Sequence, residues 1–132
     1  MTTGASSFDR ATTARAMADP ERKANEFHRP GHVFPLVAKA KGVLERGGHT
    51  EASVDLCKLA GLEPVSVICE LMHSDGTMCR FDACAEIAKR YSFPVITVDQ
   101  IIQYRKSIGD VSMQPQIPFS PLDPPDKMQV TF

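Results

Sequence analysis

The sequence lacks an excess of charge of either sign, a long apolar run and a cysteine-dense framework, and each absence removes a class of function. Fifteen Lys and Arg residues face sixteen Asp and Glu, for a formal net charge of −1. That balance excludes the broad basic footprint of a nucleic-acid binder. No apolar run approaches the roughly 18 residues of a bilayer-spanning helix. The first ten residues, MTTGASSFDR, contain no apolar stretch of the kind found in a secretory leader. The expectation is a soluble, cytoplasmic domain with no nucleic-acid or membrane partner. No Walker loop, no G-x-G-x-x-G and no G-x-S-x-G elbow occurs, which removes the usual nucleotide folds and serine hydrolase chemistry. Nor is there an internal repeat.

Four cysteines, Cys57, Cys69, Cys79 and Cys84, lie inside apolar segments and read as buried thiols. Cys79 and Cys84, with His73 nearby, come closest to zinc-ligand spacing, but a structural zinc site is the weaker reading. At 132 residues and 42% hydrophobic, the chain has the composition of one globular domain. A domain of that size buries roughly two thirds of its unfolded surface.

What is present alternates between helical and strand-like patterns. Ser6 is placed to cap a helix over 7–18, with Asp9 three residues on, and Pro20 ends it. The charged stretch 21–26 reads as loop. Residues 32–37 look strand-like, with Pro35 confining them to an edge, a bulge or a strand end, and Val43-Leu44 is a second short extended piece. Thr50 is a natural cap for a helix over 51–60, whose Ala52, Leu56, Leu59 and Ala60 line one face and which Gly61 stops. Residues 65–71 form a nearly continuous apolar run, the pattern of a strand covered on both sides, and Asp75-Gly76 marks a turn. Asp82 caps a helix to Tyr91, residues 94–98 form a short strand, and Asp99 caps a last helix through Arg105. This alternation predicts an α/β or α+β fold with helices packed on a mixed β-sheet over residues 1–109. Residues 110–132 hold five of the ten prolines and read as an extended, disordered tail. A polyproline docking motif is the lesser alternative there.

Three polar segments sit where a fold alone would not require them. In Arg46-Gly47-Gly48-His49-Thr50, two glycines let backbone amides approach a ligand, and the following helix N-terminus presents unpaired N–H groups. Arg46 and the Thr50 hydroxyl would complete a phosphate cradle; the alternative is a tight turn with an ordinary cap. Glu70, inside an apolar run, would lose hydration and gain the raised pKa of a proton-transfer group, unless it stands at a strand end in water. His32, between a Pro-Gly turn and an apolar segment, is either a proton carrier or a hydrogen-bonded core residue. His28 and His73 read as surface residues.

Taken together, these segments resemble the 3,4-dihydroxy-2-butanone 4-phosphate synthase family of riboflavin biosynthesis. The resemblance is carried by Thr2-Thr3-Gly4 with Asp9-Arg10, Arg29-Pro30-Gly31-His32-Val33-Phe34-Pro35-Leu36, Gly42-Val43-Leu44 and Arg46-Gly47-Gly48-His49-Thr50-Glu51-Ala52. Val54-Asp55-Leu56, Leu59-Ala60-Gly61-Leu62, Ile68-Cys69-Glu70-Leu71, Asp75-Gly76-Thr77-Met78 and Tyr104-Arg105 continue it in order. It implies a lyase converting ribulose 5-phosphate to 3,4-dihydroxy-2-butanone 4-phosphate and formate, with magnesium as cofactor and manganese as its alternative. By resemblance, Arg46, Gly47, Gly48 and Thr50 hold the phosphate with help from Thr3, and His49, counted with that cradle, ligates the metal. Glu70 and His32 serve as catalytic residues, and the enzyme is a homodimer. The family also carries an acidic metal-binding motif upstream of these segments, which this sequence does not show. The chain thus corresponds to the C-terminal half of the family domain. The expectation is impaired activity for the isolated chain, uncovered strand edges and weak stability, with a sugar-phosphate-binding or complementation partner as the alternative function.

Overall fold

In the computed structural model, residues 3–109 are described. Four helices organise them: α1 (Ser7–Met17), α2 (His49–Leu59), α3 (Phe81–Tyr91) and α4 (Val98–Ser107). Short 3-10 turns occupy Ala24–Glu26 and Gly42–Leu44. The call of a disordered tail over 110–132 lies outside the described residues, as does Thr2.

Local side-chain chemistry sets two of the four helix starts. Ser6 caps α1, its Oγ accepting the Asp9 N–H at 3.0 Å, as its short side chain predicts. At α4 the cap is Thr97, not Asp99. Thr97 Oγ1 accepts from the Gln100 N–H at 3.2 Å, and Gln100 Oε1 accepts from the Thr97 N–H at 2.8 Å. This reciprocal pair satisfies two orphan donors at once, and Asp99 falls in the first turn. At α3 the cap position belongs to Arg80, and Asp82 likewise falls in the first turn. Ser92, at φ 58°, ends α3 in the left-handed conformation.

The core gathers around the middle of the chain. Val43, Ala52 and Ile101 are buried, with Leu56, Leu59, Val98 and Ile102 packed against them. It joins α2, α4 and the Gly42–Leu44 turn, so residues 43–44 are a helical turn and not the extended piece expected. Two buried carboxylates sit beside that core. Asp55 pairs with Arg105 at 2.8 Å and also accepts the Val43 N–H at 2.8 Å. Arg105 in turn donates to the Lys41 carbonyl at 2.6 Å. Gly42 allows this packing: its φ is +58°, and a Cβ there would collide with the Asp55 carboxylate.

The expected mixed sheet is not formed among the described residues. Met72 and Met78 make one antiparallel bridge around the Asp75-Gly76 turn, with the His73 N–H on the Thr77 carbonyl at 2.8 Å. Segments 32–37, 65–71 and 94–97 carry no strand pairing. An apolar run reports that a segment favours burial; a strand also needs a neighbour to complete its backbone hydrogen bonds. Here those neighbours are lacking, and Phe34, Val37 and Val67 stand 82%, 88% and 70% exposed. The cysteines are likewise less buried than expected. Cys69 is exposed and the other three are half-buried, all as free thiols. Partial burial pushes the Cys57 thiol above its ordinary value, only partly offset by a hydrogen bond involving Ser66.

Candidate active site

The glycine-rich segment leads directly into α2. Gly48, in extended conformation, is the cap residue of α2, and no side chain caps it. Thr50 is therefore the second residue of the helix and not its cap, and His49 is the first. The Gly48 N–H turns back to the Arg46 carbonyl at 2.8 Å, closing a three-residue turn. Helix geometry leaves the N–H groups of His49 and Thr50 without intrahelical acceptors, at the positive end of the helix. His49 is exposed and Thr50 half-buried.

Arg46 lies across this turn. Its Nε donates to Glu51 Oε2 at 2.9 Å, while Glu51 Oε1 accepts the Lys39 N–H at 3.0 Å. Glu51 is fully buried, whereas the Arg46 side chain is half exposed. Burial by itself would push the Glu51 carboxyl up. The hydrogen bonds from Arg46, the Lys39 N–H and its own N–H, with the Arg46 charge, outweigh burial and hold it below its ordinary value. An added Cβ at Gly48 would stand 2.7 Å from Glu51 Oε2 and 3.4 Å from Arg46 Nε. Glycine at 48 thus answers to the Arg46–Glu51 pair. Gly47 is different, since a Cβ there would make ordinary contacts of 3.8 Å and 4.0 Å with Val98 and Ile102.

Among the described residues, the other predicted site side chains make no hydrogen bond or ion pair with this cradle. His32 is exposed, and its ring packs beside Gly4, where an added Cβ would lie 3.7 Å from Cδ2. This places His32 next to the Thr3-Gly4 turn, which Asp9 holds by accepting the Gly4 N–H at 3.2 Å. Asp9 is buried and Thr3 exposed. Glu70 is exposed, on a segment whose residues 66–70 all stand exposed. The desolvation expected of a covered strand is therefore absent around it. No hydrogen bond or ion pair joins the Glu70 side chain to a described residue.

Sequence reasoning missed the buried acids Glu51 and Asp55, which lie one helical turn apart on α2. A signal was available: 51, 52, 55, 56 and 59 share one helical face, so the acids fall on the apolar stripe. Acids at such positions are buried only when paired, and Arg46 and Arg105 are their partners.

Magnesium fits the described residues poorly. Among them, no three His, Cys, Asp or Glu side chains converge on a common point. His49 is the assigned ligand, yet the nearby Glu51 is committed to Arg46 and Lys39. Magnesium favours several oxygen ligands in octahedral array, and this chain's described residues do not present them.

Comparison with known proteins places this geometry. A two-domain 3,4-dihydroxy-2-butanone 4-phosphate synthase from A. baumannii superimposes with a TM-score of 0.77 at 46% identity, covering 80% of this chain and 31% of that one. A synthase of the same name in complex with two magnesium ions gives a TM-score of 0.72 at 40% identity, covering 84% of this chain and 57% of that one. The fold is therefore that of these synthases. The family model for 3,4-dihydroxy-2-butanone 4-phosphate synthase matches residues 1–104, and the chain belongs to that family. The riboflavin biosynthesis protein RibBA of Bacillus cytotoxicus is 52% identical over 105 residues, and that of Staphylococcus aureus strain COL 48% over 118. The chain spans 26% and 29% of the lengths of those two relatives. No helix among the described residues is long and apolar enough to cross a membrane.

Proposed function

We propose that the chain is the phosphate-binding portion of a 3,4-dihydroxy-2-butanone 4-phosphate synthase, acting in riboflavin biosynthesis. The reaction divides ribulose 5-phosphate into a four-carbon ketone phosphate and formate. The observation that carries this reading is Arg46 held beside the glycine-capped N-terminus of α2, within the stretch that matches the family. Arg46, the backbone of Gly47 and Gly48, and Thr50 hold the phosphate, with Thr3 as a further hydroxyl. A phosphate there meets a guanidinium and the helix N–H groups together.

His32 and Glu70 are the proton-transfer groups of this proposal. Both are exposed here, and productive chemistry requires that they be brought to the sugar end of a substrate anchored at Arg46. His49 is the proposed metal ligand, supplemented by oxygen donors that the described residues do not provide. The proposal extends to a homodimer and to a domain ending near residue 109.

The test is formate release from ribulose 5-phosphate with magnesium, by the chain alone and mixed with the separately expressed upstream half of a homologous synthase. Release by the mixture, abolished by Glu70→Gln with phosphate binding retained, supports the assignment. A mixture that neither releases formate nor binds phosphate overturns it. A second reading, a non-catalytic sugar-phosphate-binding or complementation partner, is favoured by the exposed Phe34, Val37 and Val67. Phosphate binding without formate release in that mixture would select it.

A further inference from the structure

We propose that Glu51 is a positioning residue for the phosphate anchor: its buried carboxylate grips Arg46 Nε and so aims the guanidinium along the N-terminus of α2. The inference rests on the reading of Arg46 as that anchor and extends it to a residue with no ligand contact of its own. Three observations support it. Glu51 is wholly buried beside a half-exposed Arg46, so the fixed member of the pair is the acid. Its second oxygen is tied to the Lys39 N–H at 3.0 Å, which removes its freedom to follow the arginine. The bond to Arg46 uses Nε, and neither Nη atom is bonded to a described residue. An arginine held by Nε keeps its terminal edge for a bidentate anion.

Gly48 fits the same account. A side chain at 48 would press on Glu51 Oε2 at 2.7 Å and move the carboxylate that sets the arginine. The sign of one substitution separates positioning from simple charge. A carboxylate close to an anion site repels the anion, so by charge alone Glu51→Gln should tighten phosphate binding. Positioning demands the reverse, because the freed guanidinium must be ordered again each time the anion binds.

The experiment titrates the full chain with inorganic phosphate at low ionic strength, following Kd by calorimetry for four proteins. These are the parent, Glu51→Gln, Arg46→Gln and the double variant, each shown to be folded by circular dichroism. Weakening of roughly tenfold in Glu51→Gln, the scale of one charge-assisted hydrogen bond, is expected. In the Arg46→Gln background the same change should have no further effect. Unchanged or tighter binding by Glu51→Gln, or losses that add in the double variant, would overturn the role. Absence of phosphate binding by the parent would sink the anchor reading itself and this inference with it. Should Glu51→Gln not fold, the Arg46 guanidinium N–H resonances of the parent decide. An Nε–H protected from exchange, with Nη signals that move on adding phosphate, supports the role; a freely exchanging Nε–H defeats it.

Discussion

Gly42 shows how closely one residue can tie backbone to side chain. Its positive φ disfavours any L side chain, and the space a Cβ needs is filled by the Asp55 carboxylate. That carboxylate is already committed to Arg105 and the Val43 N–H. Gly42→Ala should therefore cost about 3 kcal/mol or more, combining backbone strain with a displaced buried ion. Urea denaturation would read this directly, and an unchanged midpoint would show that the pair can shift at no cost. Gly47→Ala, which meets only ordinary contacts within the chain, should by contrast stay within about 0.5 kcal/mol of the parent.

At the scale of elements, the Asp75 turn offers a pH readout. Asp75 Oδ1 accepts from Thr77 Oγ1 at 2.7 Å and from the Thr77 N–H at 2.9 Å. These bonds hold its carboxyl below the ordinary value of 3.8. The folded turn thus binds the proton less tightly than the unfolded chain. Its contribution is present above the ordinary value and is lost as pH falls through the folded one. The Thr77 amide resonance should move in that acidic window in the parent and stay still in Asp75→Asn; identical titrations would remove the carboxylate from the account.

The helices themselves were legible in the sequence, but the residues that cap them only in part. Ser6 was identified because its bond to Asp9 spans three residues. The start of α2 was placed at Thr50 because threonine suits a cap. The helix instead starts after Gly48, which has no side chain to announce it as a cap. At α4 the pair Thr97 and Gln100 spelled a capping box, and Asp99 was the more obvious but weaker choice. The cradle over 46–50 was visible because its members adjoin in sequence. Its support by Glu51 was hidden, since an acid on a helix ordinarily reads as surface. The sheet failed for a further reason: the apolar run over 65–71 reads as a strand covered on both faces, yet Val67 stands exposed and unpaired, because pairing depends on neighbours that no local pattern specifies.

Across the whole molecule, apolar surface is unevenly distributed. Among the described residues only Val43, Ala52, Ala88 and Ile101 are buried apolar side chains, while Phe34, Val37 and Val67 are largely exposed. A surface of this kind marks an interface or a tendency to aggregate. Val37→Lys and Val67→Lys should therefore leave folding free energy within about 0.5 kcal/mol of the parent, while lowering dye binding to apolar surface and raising soluble yield. A loss of stability in either variant would mean that these side chains are covered in solution. A polypeptide that covers them should raise the melting temperature, with a rise that grows as the logarithm of its concentration over its dissociation constant.

The contact between Gly42 and Asp55 also bears on how the sequence can change over generations. Neither position is free to vary alone: any side chain at 42 meets an acid that Arg105 holds in place, and loss of that acid removes the ion pair from a buried arginine that also bonds the Lys41 carbonyl. An inherited route away from this pair must shorten residue 55 and neutralise residue 105 before residue 42 can enlarge. Three separate sites are thereby bound to one constraint, that residue 42 enlarges last.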